Sequence, residues 1–300
     1  MYTEKLRRSL LYVPGTNPKN MIAAQFYGAD CIILDLEDSV SINQKDSARN
    51  LVFNFLRKER ITDTEFIVRV NEINSENGYE DLRAMVLAQP DIIRFPKIER
   101  KEDVEKADSI LTELEKEYRL EEGTTKIIAG IENFIGVNNA IEIAKASKRT
   151  IAISIGGEDY TTSIGAERTR EGTELFYGRN MVLMAARLAG IQVFDTVFTN
   201  FRDDEGLRAD TENIKNLGFD GKYLIHPNQV EIVNSVFTPN EKQIEKAIGI
   251  LEIIEKAEKD EKGVIKYENE MIDAPIVTRA MKTLQRAMAA GIIKEDINFG

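Results

Sequence analysis

The sequence predicts an α/β fold, a (β/α)8 TIM barrel with a C-terminal helical extension, from three observations. Eight short, β-rich apolar runs alternate with longer segments whose apolar residues recur at the helical period. Runs such as CIILDL and KIIAGI lack polar alternation, so both of their faces need cover. Parallel strands flanked by helices receive that cover, and strands of an antiparallel sandwich do not. The eight units occupy about 230 residues, close to the ~250 typical of a closed barrel. A doubly wound open sheet is the structural rival, but neither GxGxxG nor GxxxxGK[ST] is present to mark its phosphate site.

The strands are read, in order, at Ser9 to Val13, Cys31 to Leu36, Glu65 to Val70, Asp91 to Phe95, Lys126 to Ile131, Thr150 to Ile155, Gln192 to Phe198 and Lys222 to Ile225. The first connection sets the grammar. Asn17 caps, Pro18 opens the first turn, Met21, Ile22 and Phe26 share a face, and Gly28 stops the helix. Further helices are read at Asn43 to Lys58, Tyr79 to Leu87, Lys101 to Leu120, Val137 to Ala146, Gly178 to Ala189 and Thr211 to Leu217. Past the eighth strand come a helix from Pro239 to about Lys259, a polar link EKDEKG, the stretch VIKYENEMIDAP and a last helix to about Ala290. The expected division is therefore a barrel over residues 1–238 carrying the active site and an extension over residues 239–300.

Composition narrows the function. Forty basic against fifty-one acidic residues give a net charge of -11, which disfavours nucleic acid and anionic membrane as partners and points to a small ligand or a discrete protein. One cysteine excludes an internal disulfide, and one histidine excludes a His-rich metal site or a pair of catalytic imidazoles. The apolar run in MYTEKLRRSLLYVPG is too short for a signal peptide, and no long apolar span follows, so a cytoplasmic chain is expected.

In a barrel of this kind the reactive groups sit at the C-terminal ends of the strands. Those positions hold Pro14-Gly15, then Asp35, Glu37 and Asp38, then Arg69 and Asn71, Lys97, Glu132 and Asn133, Glu158 and Asp159, and His226. Glu132 and Asp159 end adjacent staves, so their carboxylates can share one divalent ion, and oxygen ligands alone favour Mg²⁺ or Mn²⁺. The alternative is that Glu132 pairs with Arg69 or Lys97 with no ion bound. Gly156 and Gly157 clear side chains where a substrate approaches the backbone, or simply make a tight turn. Arg69 either takes a substrate carboxylate in two parallel hydrogen bonds or forms a structural pair with Glu37 or Asp38. Lys97 invites a Schiff-base reading, but the surrounding acids favour an ion pair. His226 reads as a polar anchor and Cys31 as a core residue.

The motifs RRSLLYVPGTNP, YGADCIILDLEDSV, KDSARN, IVRVN, IAGIE, GGEDY, ERTREGTELFYGR and FDGKYLIHPNQ, in this order, resemble the citrate lyase β subunit family. That family lies within the broader group of malyl-thioester lyases and HpcH/HpaI aldolases, and the match covers nearly the whole chain. The resemblance implies a Mg²⁺-dependent carbon–carbon lyase that splits a citryl thioester into oxaloacetate and an acetyl thioester. It implies Glu132 and Asp159 as metal carboxylates, Arg69 as the binder of the oxo-acid carboxylate, and Asp273 in MIDAP as an acid contributed from a neighbouring subunit. Asp273, Arg69, Glu37 and Asp38 are then the candidate catalytic group, with Glu37 and Asp38 ordering metal waters or Arg69. Arg69, Glu132, Gly156 and Gly157 form the candidate substrate site.

The implied partners are an acyl carrier protein (γ) subunit, a CoA-transferase (α) subunit and further copies of the chain as a homo-oligomer. Some CoA-using relatives carry a lysine at the place of Ala23, a departure that weakens the case for free CoA. The rival activity is a malyl-CoA or citramalyl-CoA lyase, and a non-catalytic scaffold subunit stands behind both.

Overall fold

A computed structural model of the chain describes residues 5–62, 64–259, 265–267 and 270–293. Two compact units emerge, one spanning Arg7–Asn234 and one containing the described residues from Ser235 onward. The sequence reading set this boundary four residues later, after residue 238.

The first unit is a closed barrel of eight parallel strands in sequence order, with the first pairing the last. Its strands are β1 (Ser9–Pro14), β2 (Cys31–Asp35), β3 (Glu65–Arg69), β4 (Ile92–Phe95), β5 (Lys126–Ile131), β6 (Thr150–Ile155), β7 (Gln192–Asp195) and β8 (Gly221–Leu224). Around them run α1 (Pro18–Ala24), α2 (Lys45–Lys58), α3 (Glu76–Ala88), α4 (Lys101–Glu117), α5 (Phe134–Asn138), α6 (Ala140–Lys145), α7 (Gly157–Ser163), α8 (Phe176–Ala189) and α9 (Asp204–Leu217), and α10 (Gln229–Phe237) begins in this unit and ends in the second. The first connection folds as its sequence dictates: the Asn17 side chain accepts from the Asn20 N–H at 3.1 Å, and Pro18 occupies the first turn.

Alternation along the strands sorts side chains into two cores. Leu10, Ile33, Ile67, Ile92, Ile128, Ala152, Phe194 and Tyr223 fill the lumen, with Cys31 among them as a buried core residue. The opposite faces of the same strands, with Leu11, Ile32, Val68, Ile93 and Val193, are buried beneath the helices. Two residues above the apolar lumen layer the inward positions turn polar, and that change of character defines the site.

In the second unit α11 (Glu241–Lys259) packs on α12 (Ala274–Ala289) through Ile244, Ala247, Ile250, Ala280, Leu284 and Ala287. Between these helices the stretch VIKYENEMIDAP forms an antiparallel pair, β9 (Ile265–Tyr267) and β10 (Glu270–Ile272). Most of the polar link EKDEKG lies outside the described residues. No described helix is long and apolar enough to cross a membrane.

Candidate active site

The polar layer begins where β1, β2, β3 and β4 bring Pro14, Asp35, Arg69 and Arg94 side by side in register. These residues, with Tyr12, Glu132, Gly156, Gly157, Asp159, Thr196 and Tyr223, line a cavity of about 440 Å³ at the C-terminal mouth of the barrel. That size suits a small ligand.

Asp35 fixes Arg69. Its carboxylate takes the arginine's Nε and Nη2 in a fork at 2.6 and 2.7 Å, and it also accepts the backbone N–H groups of Glu37 and Ser39. Burial opposes ionisation of Asp35, but the Arg69 contacts win and hold its carboxyl below the usual range. The remaining terminal nitrogen of Arg69 reaches Glu37 at 2.8 Å and Asp38 at 2.9 Å. Three acids therefore surround the guanidinium, the ion-paired alternative that the sequence left open, and the fork expected for a substrate carboxylate faces Asp35. The contact with the exposed Asp38 is the one a ligand exchanges most cheaply.

Glu37 is buried beneath Arg69 and Lys97, whose nitrogens approach at 2.8 and 3.2 Å without hydrogen-bond alignment. Burial, aided by Glu132 and Asp38 and opposed by Arg69 and Arg94, pushes its carboxyl up to about 7. Lys97 donates to Glu72 at 2.7 Å. Partial burial alone would lower its pKa, but Glu72 and Glu37 hold it above the usual lysine range, so it stays an ammonium and not a Schiff-base nucleophile.

Glu132 is buried at the end of β5, and its partner is neither Arg69 nor Lys97 but Arg94, whose Nη2 donates to it. The two glycines before Glu158 have a specific use: a Cβ at Gly156 would lie 2.7 Å from Glu132 Cγ, and one at Gly157 2.8 Å from Thr196 Cγ2. They border the cavity, and Gly156 admits the stem of Glu132 while Gly157 admits the Thr196 side chain. Asp159, on the first turn of α7, makes no hydrogen bond or ion pair with the described residues. Burial and the charges of Glu132 and Asp38 raise its pKa, against Lys97 and Arg69. Glu158 turns aside to Arg168 at 2.8 Å.

Whether a hard divalent ion suits this mouth is answered by the donors themselves. A carboxylate free of partners and a second one repelling it share one cavity without nearby sulfur or imidazole, and a cation between them relieves that repulsion. Among the described residues no cluster of three or more His, Cys, Asp or Glu forms a ready cage. A pair of carboxylates with other sites left to water and substrate is the Mg²⁺ pattern.

His226 is an anchor: its ring stacks on Phe201 at 4.8 Å, and its Nδ1 accepts the Asn228 N–H. Asp273 caps α12 in the second unit, where it accepts the Ile276 N–H at 3.2 Å.

The residue that strand-end reading missed is Arg94. It lies one residue short of the end of β4, inside a run that reads as apolar. Parity would have found it, since Arg94 shares the inward face with Ile92 and stands in register with Arg69.

A parallel barrel with convergent acids and guanidiniums at its C-terminal mouth defines an enzyme of the class that works on small oxygen-rich anions. The chain belongs to the HpcH/HpaI aldolase/citrate lyase family, which matches residues 8–227. It is 44% identical over 299 residues to the citrate lyase subunit beta of Leuconostoc mesenteroides subsp. cremoris, covering 100% of this chain and 99% of that one. It is 35% identical to a (3S)-malyl-CoA thioesterase of Cereibacter sphaeroides, covering 94% and 95%. Among solved structures it resembles the protein CitE from Mycobacterium tuberculosis in complex with magnesium, acetoacetate and coenzyme A, with TM-score 0.77, 28% identity and coverage of 96% and 100%.

Proposed function

We propose that this chain is a citrate lyase β subunit, a carbon–carbon lyase that cleaves a citryl thioester to oxaloacetate and an acetyl thioester. The observation that carries the reading is the meeting of Glu132 and Asp159 in one cavity beside Arg69. The full-length identity to a citrate lyase β subunit and the likeness to a magnesium- and acetoacetate-bound structure support it.

Glu132 and Asp159 are the residues that would hold Mg²⁺, which when bound supplies Lewis acidity to the substrate's hydroxyl and carboxylate oxygens. Arg69 gives up Asp38 to a carboxylate of the oxo-acid half and aligns the breaking bond. Glu37 and Asp38 order the outer side of Arg69, while Asp35 keeps its fork fixed. Asp273 delivers the proton that the acetyl enolate requires, from a neighbouring copy of the chain. The partners are an acyl carrier protein, a CoA-transferase subunit and further copies of the chain.

The likeness to the malyl-CoA thioesterase favours a second reading, action on malyl or citramalyl thioesters of free CoA. Purified protein assayed with Mg²⁺ on citryl, malyl and citramalyl thioesters separates the two. Turnover of the citryl substrate is expected, and activity on malyl-CoA alone rejects the proposal. Glu132→Gln and Asp159→Asn are each expected to remove more than 99% of turnover while the thermal transition stays sharp, roughly the scale of losing electrostatic stabilisation of the transition state.

A further inference from the structure

The strongest unexplained feature of the barrel is the interior arginine of β4. Arg94 is 2% exposed, and its Nη2 donates to Glu132, yet its Nε and Nη1 have no hydrogen-bond partner. Leaving two donors of a buried charged group unmet is costly unless an acceptor arrives, and Arg94 lines the cavity through which one can come. The seat is purpose-shaped: a Cβ at Gly130, on the adjacent strand β5, would lie 2.6 Å from Arg94 Nη2 and 2.8 Å from its Cζ.

The neighbours of Arg94 are in the same condition. Ser154, in register with Gly130 on β6, has an unpartnered buried hydroxyl. Tyr223 on β8, whose ring centre lies 5.8 Å from the Arg94 Cζ, has another. Arg94 and Tyr223 line the cavity, and Ser154 adds a third unpartnered donor in the lumen. Arg69, by contrast, is already surrounded by Asp35, Glu37 and Asp38. The two arginines are register neighbours on strands about 4.8 Å apart, a spacing that a four-carbon diacid can bridge.

We infer that Arg94, through Nε and Nη1, receives the second carboxylate of the oxo-acid half of the substrate and so selects a dicarboxylate over a monocarboxylate. The inference rests on the lyase reading and deepens it. A citryl thioester yields a dicarboxylic oxo acid, whereas malyl and citramalyl thioesters yield monocarboxylic ones. A buried guanidinium left without its acceptor by the smaller acid is the kind of penalty that makes a site selective.

The experiment measures binding of oxaloacetate and pyruvate, with Mg²⁺, to the whole protein and to Arg94→Met, Gly130→Ala and Tyr223→Phe. Wild type is expected to prefer oxaloacetate. Arg94→Met is expected to lower oxaloacetate affinity about a hundredfold while pyruvate changes by less than about threefold. Gly130→Ala, which displaces an intact guanidinium, is expected to reduce the same preference, and this variant and Tyr223→Phe carry the test should Arg94→Met fail to fold. Equal weakening of both acids would overturn the inference, because Arg94 would then act only by holding Glu132. Absence of any preference in wild type would overturn it as well. A wild type that prefers oxaloacetate yet cleaves no citryl thioester would instead sink the lyase reading and leave the role of Arg94 standing.

Discussion

Asp35 accepts four hydrogen bonds, two from Arg69 and two from the loop that carries Glu37 and Ser39, and so ties the guanidinium to the acids around it. Asp35→Asn replaces a fork-to-fork pair with an amide that presents one acceptor and repels the other nitrogen. Turnover is expected to fall about a hundredfold, with a raised KM for the thioester and unchanged secondary structure, as steady-state kinetics and circular dichroism would show. Lys97 supplies a second check at this scale. Held as an ammonium by Glu72 and Glu37, it is expected to resist trapping by borohydride in the presence of oxaloacetate, and EDTA is expected to abolish turnover. A borohydride adduct at Lys97 in a protein that stays active in EDTA would show imine chemistry instead.

Among the elements, the closing seam between β1 and β8 is the least tolerant, because a Cβ at Gly221 would lie 1.9 Å from the Arg7 carbonyl oxygen. Gly221→Ala is expected to cost about 3 kcal/mol or more, read as a lower urea midpoint. The Arg149 network, which joins the edge of β6 to α4, makes stability depend on pH. Burial would raise Glu115, but its fork to Arg149 and the N–H groups of Thr125 and Gly123 hold it at about 2, below the ordinary 4.5. A carboxylate whose pKa is lowered on folding stabilises the fold above its unfolded value and loses that contribution as pH falls. The unfolding midpoint is therefore expected to drop between about pH 4.5 and 2. Glu115→Gln is expected to flatten that slope while costing roughly 3–5 kcal/mol at neutral pH.

The strands were legible because eight short apolar runs alternate with helical segments and some of them, such as CIILDL and KIIAGI, need cover on both faces, and their observed bounds differ by a residue or so. The exception is β7, read to Phe198 and ending at Asp195, where Thr196 turns to accept the Gly157 N–H and leaves the ladder. The helix read over Val137 to Ala146 is two pieces, broken at Asn139, whose side chain bonds the Glu99 carbonyl. α7 is not among the helices the sequence predicts, where Gly156 and Gly157 allow a tight turn. Of the site, the acids at the strand ends were visible. Which cation meets which acid was not, since a lumen contact such as Arg94 with Glu132 depends on stagger around the barrel and not on spacing along the chain.

At the scale of the whole molecule, the proposed donor Asp273 stands in the unit that follows the barrel, and its assignment to a neighbouring copy has a direct check. Asp273→Asn and Glu132→Gln are each expected to be inactive alone. Mixed and reassembled, they are expected to regain up to about a quarter of wild-type turnover if one subunit completes the site of the next, because random mixing restores some pairs of intact groups. No recovery on mixing would place Asp273 in its own subunit. Farther from the mouth, Arg179 of α8, Asp195 of β7, Asp210 of α9 and Lys222 of β8 form a closed set of two cations and two anions at 2.6–2.8 Å, each under 9% exposed. Replacing one member strands an opposite charge in the interior, whereas removing a matched pair does not. Over generations those four positions are therefore expected to behave as a single inherited character, kept as a set or exchanged as balanced partners, because a one-step intermediate strands a buried charge.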